Sequence, residues 1–191
     1  MTGSLLAALL PFSASAQLPD NLVAESVPGI PPELRRDAAR YLEFRAAAFQ
    51  SWHPIRREML ITTRFADTPQ LHLVKAPGGV RKQITFGTEP VSSGKFRPKA
   101  GDFAVFSQDN GGGEFHQLYR HDFHDGRNTL LTDGKSRNTG GRFSNSGIHF
   151  AYTSTRRTGK DNDIWVMIPS DPKTDHLLTE LSGGGWGVLD W

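Results

Sequence analysis

Three threonines, Thr85, Thr132 and Thr179, stand 47 residues apart (132 − 85 and 179 − 132). Other residue types keep the same interval of 47: Phe96 and Phe143, Gln70 and Gln117, Gly79 and Gly126. Unrelated positions that hold one spacing over about three copies restrict the chain to a repeat architecture, because each copy must supply the same strand and turn positions to its neighbours. The clearest copy runs from Phe96 to Asp133. It holds the apolar run Phe103 to Phe106, the loop glycines Gly111 to Gly113, a second run at Gln117-Leu118-Tyr119, and a closing Leu130-Leu131-Thr132.

Within each copy, short apolar runs are bounded by Gly, Asn, Asp and Pro, the texture of strands joined by tight turns. The inner runs Met59-Leu60-Ile61, Ile148 to Tyr152 and Ile164 to Ile168 are apolar at nearly every position and do not alternate. Both faces of such strands must be covered. Four-stranded sheets stacked radially, each flanked by another sheet, meet that requirement, and repeats slightly longer than about 40 residues are typical of propeller blades. The expected fold is therefore all-β, a partial β-propeller of about three four-stranded blades over residues 51–191, preceded by one helix. The units fall at about 51–86, 87–133 and 134–180, and residues 181–191 open a fourth with Gly183 to Trp186 and Trp191. Three blades do not close a ring, so both terminal sheets are expected to carry apolar faces and to promote self-association.

The N-terminal part reads differently. Leu5 to Leu10 is a short apolar core and Ala14-Ser15-Ala16 a small-residue cleavage pattern, so residues 1–16 read as a secretory signal peptide, although no Lys or Arg precedes the core. The apolar core is too short to span a bilayer. Residues 17–50 form a leader and an amphipathic helix of about 32–49, opened by Pro31-Pro32-Glu33. A secreted or periplasmic location follows. Net charge is only +2, with acids interspersed among the bases, which argues for a mixed solvated surface rather than a nucleic-acid footprint. The absence of cysteine excludes disulfides, thiolate catalysis and cysteine-based zinc sites.

Several stretches carry a family resemblance: Trp52-His53-Pro54, Thr63-Arg64-Phe65, Gln70 to Val74, Pro77-Gly78-Gly79, Glu89-Pro90-Val91, Gln117 to Arg120, Leu131 to Asn138 and Ala151 to Arg157. Together they resemble the N-terminal propeller of secreted serine peptidases of the prolyl oligopeptidase family, the dipeptidyl-peptidase and acylaminoacyl-peptidase type, built of TolB-like repeats. The usual Ser-Pro-Asp-Gly turn of that repeat is replaced here by Arg97-Pro98-Lys99-Ala100-Gly101 and Ser144-Asn145-Ser146-Gly147. The resemblance implies a propeller that gates or positions peptides for a C-terminal α/β-hydrolase domain bearing the Ser, Asp and His triad. A TolB-like periplasmic interaction scaffold is the alternative.

No nucleophile elbow is legible in the chain itself. Gly134-Lys135-Ser136-Arg137-Asn138 lacks the second glycine of G-x-S-x-G, and Ser136 reads as a turn serine. Catalytic residues, cofactors and a metal site are not expected. His116, His121 and His124 with Asp122 and Asp125 are the densest ligand-type cluster, but alternation along a strand turns His116 and His121 to opposite faces. Asp109 and Glu114, flanking the triglycine loop, are the carboxylates placed to face a substrate chamber. Relatives of the family hold a peptide's amino terminus with paired glutamates; no Glu-Glu pair stands here. Arg156-Arg157 and Arg64 occupy comparable strand-connecting loops and read as solvated charges, with binding of a carboxylate or a partner domain as the alternative.

Overall fold

The structure is a computed structural model and describes residue 23, residues 25–183 and residues 185–191. The expected signal segment lies outside these. The chain divides into two compact units, Met1–Phe44 and Arg45–Trp191.

In the first unit a single helix, α1, runs Pro32–Leu42. Pro stands at its start, Glu33 in its first turn and Arg40 in its last, each favourable to the helix dipole. The helix stops short of residue 49: the Glu43 amide closes it on the Ala39 carbonyl at 2.8 Å, and Ala47–Trp52 forms strand β1 instead. Alanines read as helix by propensity, but Ala47, Ala48 and Phe49 pair with Thr63, Thr62 and Ile61, and the ladder prevails. The first blade accordingly begins at Ala47, inside the range expected for the helix.

The second unit contains three antiparallel four-stranded sheets. The first is β1, β2 (Met59–Thr63), β3 (Gln70–Val74) and β4 (Arg81–Gln83). The second is β5 (Val91–Phe96), β6 (Phe103–Gln108), β7 (Gln117–Asp122) and β8 (Asn128–Leu130). The third is β9 (Asn138–Phe143), β10 (Phe150–Ser154), β11 (Asp163–Ile168) and β12 (Asp171–Thr179). Strands follow chain order across each sheet. The first strands of successive sheets bond one another: Phe96 N–H donates to Ser51 Oγ, and Lys95 Nζ to the Gly141 carbonyl. β1, β5 and β9 form one edge of their sheets, and β4, β8 and β12 the other.

The unbroken apolar run of β6 follows from period-two geometry. Ala104 and Phe106 point into a core with Leu60, Leu71, Leu73 and Ile84 of the first sheet. Phe103 and Val105 point the other way, into a core with Phe150, Tyr152 and Met167 of the third. Each large side chain so enclosed contributes about 1.5–3 kcal/mol, an upper figure against an extended unfolded chain.

Both cores leave matching faces outward at the ends of the stack. Trp52 holds in the first sheet the place of the buried Phe96, each paired to the strand that follows, yet Trp52 is 63% exposed and its ring lies 5.3 Å from that of Phe49. Leu178, 47 residues after the buried Leu131, is 58% exposed. Ile61 and His72, on the same outward face as Trp52, are nevertheless buried, with the Phe65 ring edge-on to His72. The terminal segment lies against the third sheet where a fourth first strand belongs. Arg142 Nε donates to the Leu189 carbonyl and the Asn145 amide to the Trp191 carbonyl.

Turns lock blade to blade. Gly147, at φ +73°, sits so close to the preceding blade that an added Cβ would lie 2.6 Å from the Pro98 carbonyl oxygen, and Arg97 Nε donates to the Gly147 carbonyl at 2.9 Å. Only glycine meets both conditions.

Candidate functional site

The repeat residues that the sequence singles out form a clamp at one end of each sheet. In the second sheet, Thr132 Oγ1 donates to Gln117 Oε1 at 2.8 Å and accepts the Leu118 amide at 3.1 Å. Gln117 Oε1 also accepts the Gly134 amide, and its Nε2 donates to the carbonyls of Phe115 and Ser136. The first sheet repeats the device: Thr85 Oγ1 donates to Gln70 Oε1, accepts the Leu71 amide, and Gln70 Nε2 reaches the Glu89 carbonyl.

In the third sheet the interval slips by one. The Arg97 amide bonds the carbonyl of Phe103, six residues on, whereas the Ser144 amide bonds that of His149, five residues on. Asp163, not Ile164, thus takes the place of Gln117, and its Oδ1 accepts the Leu181 amide as Gln117 Oε1 accepts that of Gly134. A carboxylate offers no donor, and Arg157 supplies it: its Nε and Nη2 bond both oxygens of Asp163 at 2.8 and 2.9 Å. That forked hydrogen bond, first among the causes, holds the fully buried Asp163 carboxyl below the usual carboxylate range.

Arg156 is anchored as firmly. Its guanidinium stacks over the Trp165 ring at 4.1 Å, donates to Asp175 at 2.8 Å and to the Tyr152 hydroxyl at 2.9 Å. Tyr152 in turn donates to Asp175, and burial first, then the Asp175 charge, pushes its hydroxyl above the ordinary tyrosine value. Asp133 lies 3.5 Å from Arg156 Nε. Burial alone would raise the Asp133 carboxyl, but the Ser136 hydroxyl and amide, the Lys135 amide and Arg156 outweigh it and lower it. Arg156 and Arg157, expected as solvated loop charges, are structural ties. Ser136 donates to Asp133 Oδ2 at 2.5 Å, the geometry of a turn.

These clamps border the loops at the same end of each sheet, and Gln117 Nε2 holds the Phe115 carbonyl of the loop before it. Between β6 and β7, Gly111, Gly112 and Glu114 all adopt positive φ, at 68°, 72° and 60°. The loop turns Asp109 inward on itself, its Oδ1 accepting the Asn110 amide. Glu114 faces outward, 4.0 Å from Arg137, and with Arg137, Phe115, Thr155, Lys160 and Asn162 it lines a cavity of about 300 Å³. Of the two carboxylates expected to face a chamber, the structure places Glu114 at a cavity and leaves Asp109 in its turn. Arg137, just before β9, and Lys160, in the loop between β10 and β11, carry no sequence signal of a site.

The histidine cluster is divided along β7. His116 Nδ1 lies 3.2 Å from the Glu114 carbonyl at one end. At the other, His121 Nδ1 bonds Asn128 Oδ1 at 2.7 Å and Asp122 is engaged by Arg120. His121, His124 and Asp125 line a wider groove of about 730 Å³ between the outer strands of the first and second sheets, together with Arg56, Glu58 and Phe86. Among the described residues no three His, Asp or Glu side chains converge as metal ligands, and no helix is long and apolar enough to cross a membrane.

No protein-family model matches the chain, and no curated protein sequence does. Solved structures do. TolB from Acinetobacter baumannii is 24% identical with a TM-score of 0.56, over 72% of this chain and 33% of that one. Porphyromonas gingivalis dipeptidyl peptidase 4 is 15% identical with a TM-score of 0.59, over 71% of this chain and 19% of that one. An oligogalacturonate lyase in complex with manganese is 11% identical with a TM-score of 0.55, over 72% of this chain and 42% of that one. The chain thus spans less than half the length of each. Three four-stranded sheets packed in series that superpose on such proteins are blades of a β-propeller, similar in fold to that of TolB.

Proposed function

We propose that this propeller gates or positions peptide substrates for a serine-type hydrolase domain of the prolyl oligopeptidase family, itself performing no catalysis, in a secreted or periplasmic protein. The observation that carries the reading is the loop cavity of Glu114, Arg137 and Lys160, which offers a carboxylate for a peptide amine and cations for a peptide carboxylate. Similarity of the sheets to dipeptidyl peptidase 4 supports the peptide class. Ser136, tied into its turn by Asp133, is no nucleophile in this reading, and catalysis falls to the hydrolase domain.

Two experiments test it. The chain alone should leave chromogenic peptide esters and amides intact; hydrolysis abolished by Ser136→Ala would overturn the non-catalytic assignment. Short unblocked peptides should bind, and Glu114→Gln should weaken them while sparing their N-acetylated forms; equal losses for both would reject Glu114 as the amine partner. Downstream coding sequence with G-x-S-x-G, then Asp, then His would supply the hydrolase.

Similarity to TolB favours a second reading, a periplasmic scaffold for protein partners. Stable capture of a folded partner without affinity for peptides would select it. In either case the outward Phe49 and Trp52 support self-association of the chain expressed alone.

A further inference from the structure

Between the inner strands of the second and third sheets lies a cavity of about 200 Å³. Its floor is apolar, formed by Val105, Leu118 and Phe150, and its charged lining consists of Lys95 and Arg142. The two cations occupy equivalent places on β5 and β9, 47 residues apart. Each bonds a carbonyl of the segment that follows its own sheet, Lys95 Nζ that of Gly141 on β9 at 2.9 Å and Arg142 Nε that of Leu189 in the terminal segment at 3.2 Å. Among the described residues neither has an acidic partner, although every other arginine from 120 to 157 forms an ion pair.

The arrangement is electrostatically incomplete. A cation drawn out of water is ordinarily matched by an anion, and two like charges lining one small cavity repel. Burial first, and the Arg142 charge second, lowers the Lys95 ammonium to about 8. No other titratable side chain lines the cavity to relieve it.

We propose that this cavity binds the carboxylate of a small organic acid, held by Lys95 and Arg142, with its apolar body on the Val105, Leu118 and Phe150 floor. A planar carboxylate suits the Arg142 fork and a point-charge ammonium beside it. The apolar floor distinguishes such a ligand from an inorganic anion. The site stands apart from the loop cavity of Glu114 and goes beyond the peptide-positioning reading, on which it does not depend.

The test is a titration of the full chain labelled at lysine Cε with carbon-13, followed by NMR at constant ionic strength near pH 7. Lys95→Arg assigns the Lys95 resonance. Benzoate is expected to move that resonance saturably, acetate to do so more weakly, and benzamide not at all. Arg142→Gln, at an exposed position, is expected to weaken benzoate about ten-fold, the value of one charge-assisted hydrogen bond, with the other lysine resonances unmoved. A Lys95 resonance that moves no more than that of exposed Lys99 would overturn the site. So would unchanged benzoate affinity in Arg142→Gln. Saturation by phosphate but not by benzoate would overturn the organic-acid assignment.

Discussion

Replacing Gln117 by Leu removes the hub of one blade at nearly constant volume. Gln117 is 1% exposed, so solvent does not replace its partners directly. The change strands the Thr132 hydroxyl and the Gly134 amide, which lose Oε1, and the Phe115 carbonyl, which loses Nε2. Asn138 Nδ2 keeps the His116 and Ser136 carbonyls and is spared. Each stranded buried group costs about 1–3 kcal/mol, while carbonyls at a loop edge can recover water. With about 1 kcal/mol returned by the added apolar surface, the net loss is about 2–4 kcal/mol. For a domain whose whole stability is about 5–15 kcal/mol this is a large fraction. Urea unfolding should show the midpoint lowered by about 1–2 M with the slope unchanged. Gln70→Leu, which strands the Thr85 hydroxyl and the Gly87 carbonyl in the first sheet, should behave alike. Midpoints within about 0.3 M of the parent for both would refute the clamp as a source of stability.

Other consequences are open to the same kind of measurement. Gly147→Ala meets both a positive φ and the Pro98 carbonyl, and thermal unfolding should register a loss of about 1–3 kcal/mol. Asp163 has its carboxyl lowered on folding, chiefly by Arg157. The stability it contributes is therefore present above the ordinary carboxylate value of about 4 and is lost as pH falls through the lower folded value; Asp163→Asn should flatten that acid limb. Lys95 runs the other way: its folded value of about 8 lies below the model-peptide value, so urea stability should rise as pH increases from 8 toward about 10.4, and Lys95→Met should remove the rise. Trp52→Lys charges the outward face of the first sheet, and light scattering should show less self-association than in the parent chain; an unchanged, sharp monomer in both would dismiss that face as an interface.

Much of the fold was legible because the repeat is written in side chains that serve one local purpose each. Gln70 and Gln117 recur with Thr85 and Thr132 because each pair closes the same turn, and the apolar run of β6 stands between two cores. The slip to Asp163 was hidden, because the one-residue difference in turn pairing before β10 is compensated by irregularities in the pairing of β11 with β12 before Thr179. The end of α1 was misplaced for a different reason: Ala46 to Ala48 favour helix locally, and only pairing with β2 reveals a strand. Of the site, Glu114 was reachable from its place after three glycines. Arg137, Lys160, Lys95 and Arg142 acquire meaning only from neighbours supplied by another blade, which spacing within one copy does not disclose.

Hydrogen exchange at two amides tests the repeat most directly. The Leu71 and Leu118 amides are bonded to the hydroxyls of Thr85 and Thr132 in equivalent clamps, 47 residues apart, in different sheets. If three blades are cut from one template, both amides exchange slowly, and Thr85→Val and Thr132→Val each release the one they cap. Fast exchange at either amide in the parent chain, or protection confined to one contiguous block, would contradict the account.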